Sequence, residues 1–421
     1  MRPALLLSLF AAGAASFAVG LACQSRPPAR VAVAGPYRPP APGARWYRGN
    51  THTHTLWSDG DAAPELAVSW YRDHGYDFLV LSDHNLLQEE ERWFPVREDG
   101  RLTPDRVAAL QKRFGADRVE LRPTPDGGSE MRLLTLSELR RRFEEPGRFL
   151  LVPGEEVTDR AAGRPVHVNG LNLAGFVPPQ GGATVAEAVQ RDLEAILAHG
   201  RAAGRPVLAH VNHPNFGWAF TIADLAGLRG ERFFEVFNGH RGVNNHGGGD
   251  RPSTERMWDE ANRIRLAETG LPPLYALATD DAHEYHGPGT SVPGRGWIFV
   301  RATELSAEAI LAAMHAGDFY ASTGVELADL RADDESFTVD VAAEPGVRYR
   351  TRFLGIVREP DGQLGTGVLL AETEEDPAVW RFRGDELAVR AEVISSRLHP
   401  DPFATGDHER AWTQPVIPPR R

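Results

Sequence analysis

The sequence predicts a mixed α/β fold with a largely parallel set of strands, followed by an all-β region. Three observations predict it. From Arg45 onward, short β-rich segments alternate with helical stretches, the rhythm of a parallel α/β domain. The polar residues able to do chemistry fall at the carboxyl ends of those strands, where such folds place their sites. After Gly324 helical patterns stop, and alternating segments with Gly, Pro and Asp turns take over.

The first 43 residues stand outside that fold. Arg2 and the apolar run Ala4 to Leu21 read as a signal peptide over residues 1–22, too short and too rich in Ala and Gly for a membrane span. Gly20-Leu21-Ala22-Cys23 resembles the lipid-attachment box of bacterial lipoproteins, with Gly20 where that box carries a branched aliphatic residue. Lipidation at Cys23 and plain cleavage after Ala22 are both open. Either way the expected location is exported, periplasmic or extracellular, with a membrane link only through a lipid on Cys23. Cys23 is the only cysteine, so no internal disulfide supports the fold. Residues 23–43, rich in Pro, Ala and Arg, read as a tether.

Composition narrows the function. The 421 residues are 42% hydrophobic and 25% charged, as in an ordinary globular protein. A net charge of -12 gives no basic footprint for a stable nucleic-acid complex. Lys112 is the only lysine, which leaves Schiff-base chemistry one poor candidate.

The elements follow in order. Trp46 to His54 is the first strand, Ala63 to His74 a helix stopped by Gly75, and Asp77 to Leu81 a buried strand leading to Ser82-Asp83-His84. Residues 86–148 interrupt the rhythm as a helical insertion, with Pro104–Phe114 and Leu136–Glu145 as its helices. The strand Phe149 to Val152 delivers Gly154-Glu155-Glu156, and a hairpin brings back Val166-His167-Val168. The helix Val185–Ala203 leads to the strand Pro206–Val211 and Asn212-His213-Pro214. The strand Phe233–Phe237 ends in Asn238-Gly239-His240, and the helix Thr254–Thr269 and strand Leu274–Ala278 end in Asp280-Asp281-Ala282-His283. The helix Leu305–Gly317 and Phe319 to Gly324 close a domain spanning 44–324, leaving 325–421 as a small antiparallel β domain for packing support or partner contact.

His52 and His54 point to one side of an extended segment and form a bidentate metal-binding element, and Asp59 follows in a Ser-Asp-Gly turn. In order, His52-x-His54 with Asp59, Ser82-Asp83-His84, Gly154-Glu155-Glu156, His167, Asn212-His213-Pro214 and Asp281-x-His283 resemble the PHP superfamily, the polymerase and histidinol phosphatase metal-dependent phosphoesterases. Asn212-His213-Pro214, Phe234 to Gly239 and the run from Gly296 to Gly317 look most like its carbaryl-hydrolase-type branch. Ala411-Trp412-Thr413-Gln414-Pro415 resembles the closing motif of related exported enzymes. The resemblance implies a distorted (β/α)7-type barrel, the PHP fold, and three divalent ions. His52, His54, Glu156 and Asp281 would hold one; Glu156, as a bridge, would join His167 and His213 at a second; Asp59, His84 and His283 would hold the third.

Mixed nitrogen and oxygen ligation without thiolate suits zinc, manganese or iron. Glu156 is preferred to Glu155 because the family glutamate precedes an aliphatic residue and Ser or Thr, here Val157-Thr158; Asp281 is preferred to Asp280 because it forms Asp-x-His. Asp83 is expected to orient a ligating imidazole, His240 or a metal-bound water to protonate a leaving group, and Arg241 or Arg295 to clamp a phosphate. His74, His199 and His315 read as helix-surface residues, His210 as a satisfied buried histidine, His246 as a loop residue, and His286 as near enough to His283 to line the pocket. The implied activity is hydrolysis of phosphate esters by metal-activated hydroxide. Its substrates would be nucleotides, oligonucleotides in a 5'-3' exonuclease-like reaction, or small phosphomonoesters. Carbamate or carboxyl ester hydrolysis on the same centre is the alternative.

Overall fold

The computed structural model describes residues 35–419. The signal peptide, Cys23 and most of the tether therefore lie outside the described residues. Among the described residues no helix is long and apolar enough to cross a membrane.

The chain begins with β1 (Arg45–Asn50), α1 (Pro64–Asp73) and β2 (Phe78–Leu81). The insertion follows as β3 (Arg92–Val96), α2 (Pro104–Phe114), β4 (Leu121–Pro123), β5 (Ser129–Leu133) and α3 (Leu136–Phe143). Next come β6 (Leu150–Ala161), β7 (Arg164–Leu171), α4 (Val185–Ala203), β8 (Leu208–Val211), α5 (Ile222–Gly227), β9 (Phe233–Asn238), α6 (Thr254–Ile264) and β10 (Tyr275–Thr279). β11 (Trp297–Ala302), α7 (Ala307–Ala316) and β12 (Phe319–Ser322) precede seven further strands: β13 (Leu327–Ala332), β14 (Ser336–Val341), β15 (Tyr349–Arg358), β16 (Leu364–Thr373), β17 (Ala378–Arg381), β18 (Glu386–Leu398) and β19 (His408–Thr413).

One sheet runs β10-β9-β8-β7-β6-β2-β1-β11-β12-β19-β18-β15-β16. The pairs β1–β2, β2–β6, β8–β9 and β9–β10 are parallel, whereas β7 is antiparallel to both neighbours because it returns from β6 as a hairpin. The chain then brings the two ends of the first seven strands together. Beyond β1, Thr53 forms a parallel bridge to Ala282 beyond β10, with His54 N donating to Ala282 O (2.9 Å) and Asp281 N to His52 O (3.1 Å). β2, β8, β9 and β10 are buried along their whole length, as strands covered on both faces must be. Outer apolar residues of β6, β7 and β8, among them Val157, Val166, Val168, Ala209 and Val211, meet α4 through Ala188, Val189, Leu193 and Ile196.

Two expectations need correction. The insertion is more than helical: β3, β5 and β4 form a small antiparallel sheet against α2. The seven C-terminal strands also do not all close into a sheet of their own. β19 pairs with β12, so four of them prolong the large sheet, while β13, β14 and β17 form a second one. The reason is that β12 would otherwise present a bare edge. Phe337, Val339, Phe353 and Val389 share one apolar cluster with Leu79, Leu81, Trp297 and Tyr320. Gln414, from the predicted closing motif, exchanges two 2.8 Å hydrogen bonds with the backbone of Ala276 on β10.

Candidate metal centre

The carboxyl ends of β1, β2, β8 and β10, with the middles of β6 and β7, converge on one cluster. His52 Nε2 and His54 Nε2 lie 3.1 Å apart. Glu156 Oε2 is 3.4 and 3.3 Å from them, and Asp281 Oδ1 is 3.2 Å from each. Donor atoms spaced this way share one cation at roughly 2.0–2.2 Å, the range for imidazole and carboxylate ligands of zinc. The second carboxylate oxygen of Glu156 faces His167 Nδ1 at 3.0 Å and His213 Nε2 at 3.4 Å. On the other side, Asp59 lies 3.2 Å from His283 Nε2, 3.4 Å from His84 Nε2 and 3.7 Å from His54 Nδ1. The nine predicted ligand residues are thus neighbours, and Glu156 stands at the centre with histidines on both its oxygens.

Period-two geometry separates the competing neighbours. Glu156 enters the ring, while Glu155 turns outward to accept from Val177 N, and burial pushes its pKa up to about 8. Asp281 enters the cluster, while Asp280 accepts from Arg295 N, Gly296 N and Tyr71 Oη.

The residues fit a cation on two further grounds. Glu156 Oε2 and His167 Nδ1 are buried and lack a hydrogen-bond partner; His84 Nδ1 comes within 2.9 Å of Oε2 without a bonding angle. Such orphans are costly unless something else satisfies them. In addition, His213 (φ 24°) and Asp281 (φ 50°) hold left-handed backbone conformations, strain that non-glycine residues keep where a site demands it.

The electrostatics agree. Burial disfavours charge on His52, yet the carboxylates of Asp281, Glu235 and Glu156 outweigh it and raise the pKa well above the usual value. Against burial, Glu156 and Asp59 likewise push His84 up to about 11. Burial raises Glu156 and Asp281, but surrounding imidazoles hold both well below the usual carboxylate range. Without a metal, His52 and His84 favour their protonated forms, and a cation would displace those protons.

Several supporting residues escaped the sequence reading. Glu235 is buried; its Oε1 meets His52 Nδ1 at 2.7 Å and its Oε2 accepts from His213 N (2.7 Å) and Asn238 Nδ2 (2.8 Å). This is a carboxylate–histidine element that leaves His52 Nε2 facing the cluster. Its one signal was a lone glutamate in the apolar run Phe233-Phe234-Glu235-Val236-Phe237. Asn212 donates to Glu156 Oε1 (2.7 Å), and Asn238 to Asp281 Oδ2 (3.1 Å).

The expected catalytic residues fare less well. Asp83 does not touch the adjacent His84. It accepts from Thr55 N, Thr55 Oγ1, Ser58 N, Ser58 Oγ and Gln88 Nε2, and so fixes the turn that carries Asp59. Arg241 and Arg295 are spent on Asp401 and on backbone carbonyls rather than held free for a phosphate. His240 does border the cluster, its ring centroid 5.7 Å from that of His283. Gly242 N donates to its Nδ1, which places the proton of the neutral ring on Nε2. His210 is buried, but neither ring nitrogen is hydrogen-bonded. His246 pairs with Asp407, and His286 lies exposed.

No family model and no curated protein matches the chain. It is similar to the solved structure of a two-domain protein containing a predicted PHP-like metal-dependent phosphoesterase from Bacteroides vulgatus, at 15% identity over 90% of this chain and 98% of that one, with a TM-score of 0.40. An amidohydrolase from Chromobacterium violaceum, solved with sulfate and no metal, is 15% identical over 58% of this chain and 89% of its own, with a TM-score of 0.30. At these scores the likenesses carry no weight for the chemistry, which rests on the donor set.

Proposed function

We propose that the chain is an exported metal-dependent hydrolase that cleaves phosphate esters: nucleotides, oligonucleotides or small phosphomonoesters. The observation that carries the metal reading is Glu156, a buried carboxylate with imidazoles on both oxygens and one oxygen without a hydrogen bond. His52, His54, Glu156 and Asp281 would hold one ion, Glu156, His167 and His213 a second, and Asp59, His84 and His283 a third. Zinc, manganese and iron all suit such ligands. Bound divalent ions would supply hydroxide near neutral pH and neutralise the oxygens of a phosphate group.

The protein's own residues complete the arrangement. Glu235 and Asn238 orient the ligands, Asn212 holds Glu156, and His240 offers an Nε2 proton at the rim of the cluster. Because burial lowers the pKa of His240, its neutral form prevails near pH 7 and acts as a hydrogen-bond donor to a substrate oxygen. The seven strands β1, β2 and β6 to β10, joined at Thr53 and Ala282, support reading residues 44–324 as a distorted (β/α)7-type catalytic barrel of the PHP kind. Residues 1–22 would be its signal peptide, 23–43 its tether and 325–421 its C-terminal β region.

A carbamate or carboxyl ester hydrolase is the second reading. One observation favours it: the two arginines expected to clamp a phosphate are engaged elsewhere. Metal-free protein reconstituted in turn with zinc, manganese and iron should be assayed on phosphomonoesters, phosphodiesters and aryl carbamates. Metal-dependent turnover of phosphate esters is the expected result; turnover of carbamates alone would overturn the phosphoesterase reading.

A further inference from the structure

The β18–β19 hairpin carries Asp401 at its tip, 118 positions past the last candidate ligand, His283. Its carboxylate joins two arginines that both reach the site side of the sheet. Oδ2 accepts from Arg295 Nε (3.0 Å) and Nη2 (2.7 Å), and Oδ1 accepts from Arg241 Nη2 (2.7 Å). Arg295 is buried, with a side chain only 1% exposed, so its charge must be matched.

What those arginines hold matters more than the pairs themselves. Arg295 donates to the carbonyls of Gly239 (2.9 Å), Thr290 (2.6 Å) and Gly289 (3.0 Å), and Arg241 adds Gly289 (3.2 Å) and Pro402 (3.0 Å). Gly239 precedes His240. Thr290 precedes Ser291, whose carbonyl accepts from His283 N (2.8 Å) and whose hydroxyl lies 3.2 Å from His283 Nδ1 and bonds to Asp281 O. One carboxylate from the C-terminal region is therefore linked, through two guanidinium groups, to both loops that carry His240 and His283.

We propose that Asp401 is a positioning residue for the metal centre: by neutralising Arg295 and Arg241 it locks the 289–291 loop and so sets the ring of His283. This rests on the metal-centre reading above. It gives residues 325–421 a part in the site that packing alone would not.

The test compares Asp401→Asn, which keeps the volume, with Asp401→Glu, which restores the charge, and uses two readouts. In metal-free protein, hydrogen exchange at the His283 and Ser291 amides should quicken at least tenfold in D401N and return toward wild type in D401E, with β15 amides unchanged. In protein titrated with zinc, D401N should bind its weakest ion 10- to 100-fold less tightly, the usual loss when a supporting partner of a ligand is removed. Should D401N not fold, Arg241→Gln, which breaks the more exposed of the two pairs, carries the test, and exchange of the 283–291 segment should quicken before any other. Unchanged exchange and unchanged zinc affinity in D401N would overturn the proposal. If wild-type protein binds no zinc, manganese or iron, the metal reading fails instead, and the exchange data still decide whether Asp401 locks the loop.

Discussion

Glu235 sits among Phe233, Phe234, Val236 and Phe237, where an unpartnered carboxylate would not survive; four hydrogen bonds, from His52, His213, Asn238 and Thr279, keep it there. Glu235→Gln retains the shape but removes the charge that holds His52 in place. The expected outcome is a 10- to 100-fold loss in metal affinity or turnover, read by zinc titration and by kcat. The nine clustered residues were legible because histidine and acidic residues in and just beyond the strands form a pattern that side-chain alternation makes meaningful. Glu235 was not legible, because a single acidic residue in a strand does not reveal what faces it. Arginines misled for a related reason: Arg241 and Arg295 occupy the right loops, but their partner Asp401 is remote in sequence. Likewise, Asp83 lies next to His84 in the chain while its hydrogen bonds run back to Thr55 and Ser58.

Among the elements, α4 shows how a buried acid ties stability to pH. Asp192 Oδ1 caps Gln180 N at 2.9 Å, while Oδ2 is buried without a partner, and burial raises the pKa from 3.8 to about 7. A carboxyl group with a raised folded-state pKa favours its protonated form. Its contribution is therefore intact below pH 3.8 and is lost as pH climbs through 7. Asp192→Asn keeps the acceptor for Gln180 and discards the charge. It should leave stability unchanged near pH 4 and add up to about 4 kcal/mol at pH 8, measurable by urea unfolding at both values. The helices read well from sequence because caps and periodicity are local; Thr135 and Glu138 form a capping box at the start of α3. The small sheet in the insertion was missed because β4 has three exposed residues and β3 contains Pro95. β5 does alternate, with Met131 and Leu133 packed against Phe94 and Val96 of β3, but five residues are too few for that rhythm to stand out.

Across the whole molecule, residues 44–324 and the C-terminal strands share one sheet and one apolar cluster. A chain ended at Gly324 would lose β19 from the β12 edge, the Gln414 bonds to β10 and the Trp412 ring from its stack on Phe237. It is expected to be insoluble, whereas the full chain should melt in a single calorimetric transition.

The meeting of Thr53 and Ala282 has a consequence of its own. The two segments that complete the circle of strands also supply His52, His54, Asp281 and His283, so the clasp of the ring and the proposed cage for the ions are the same few residues. Loading the ions would then fasten the circle, and stripping them would loosen it first at that clasp. Amide exchange at His54 and Asp281 would thus gauge how full the centre is before any substrate is known. Addition of a chelator should speed exchange there ahead of every other strand end.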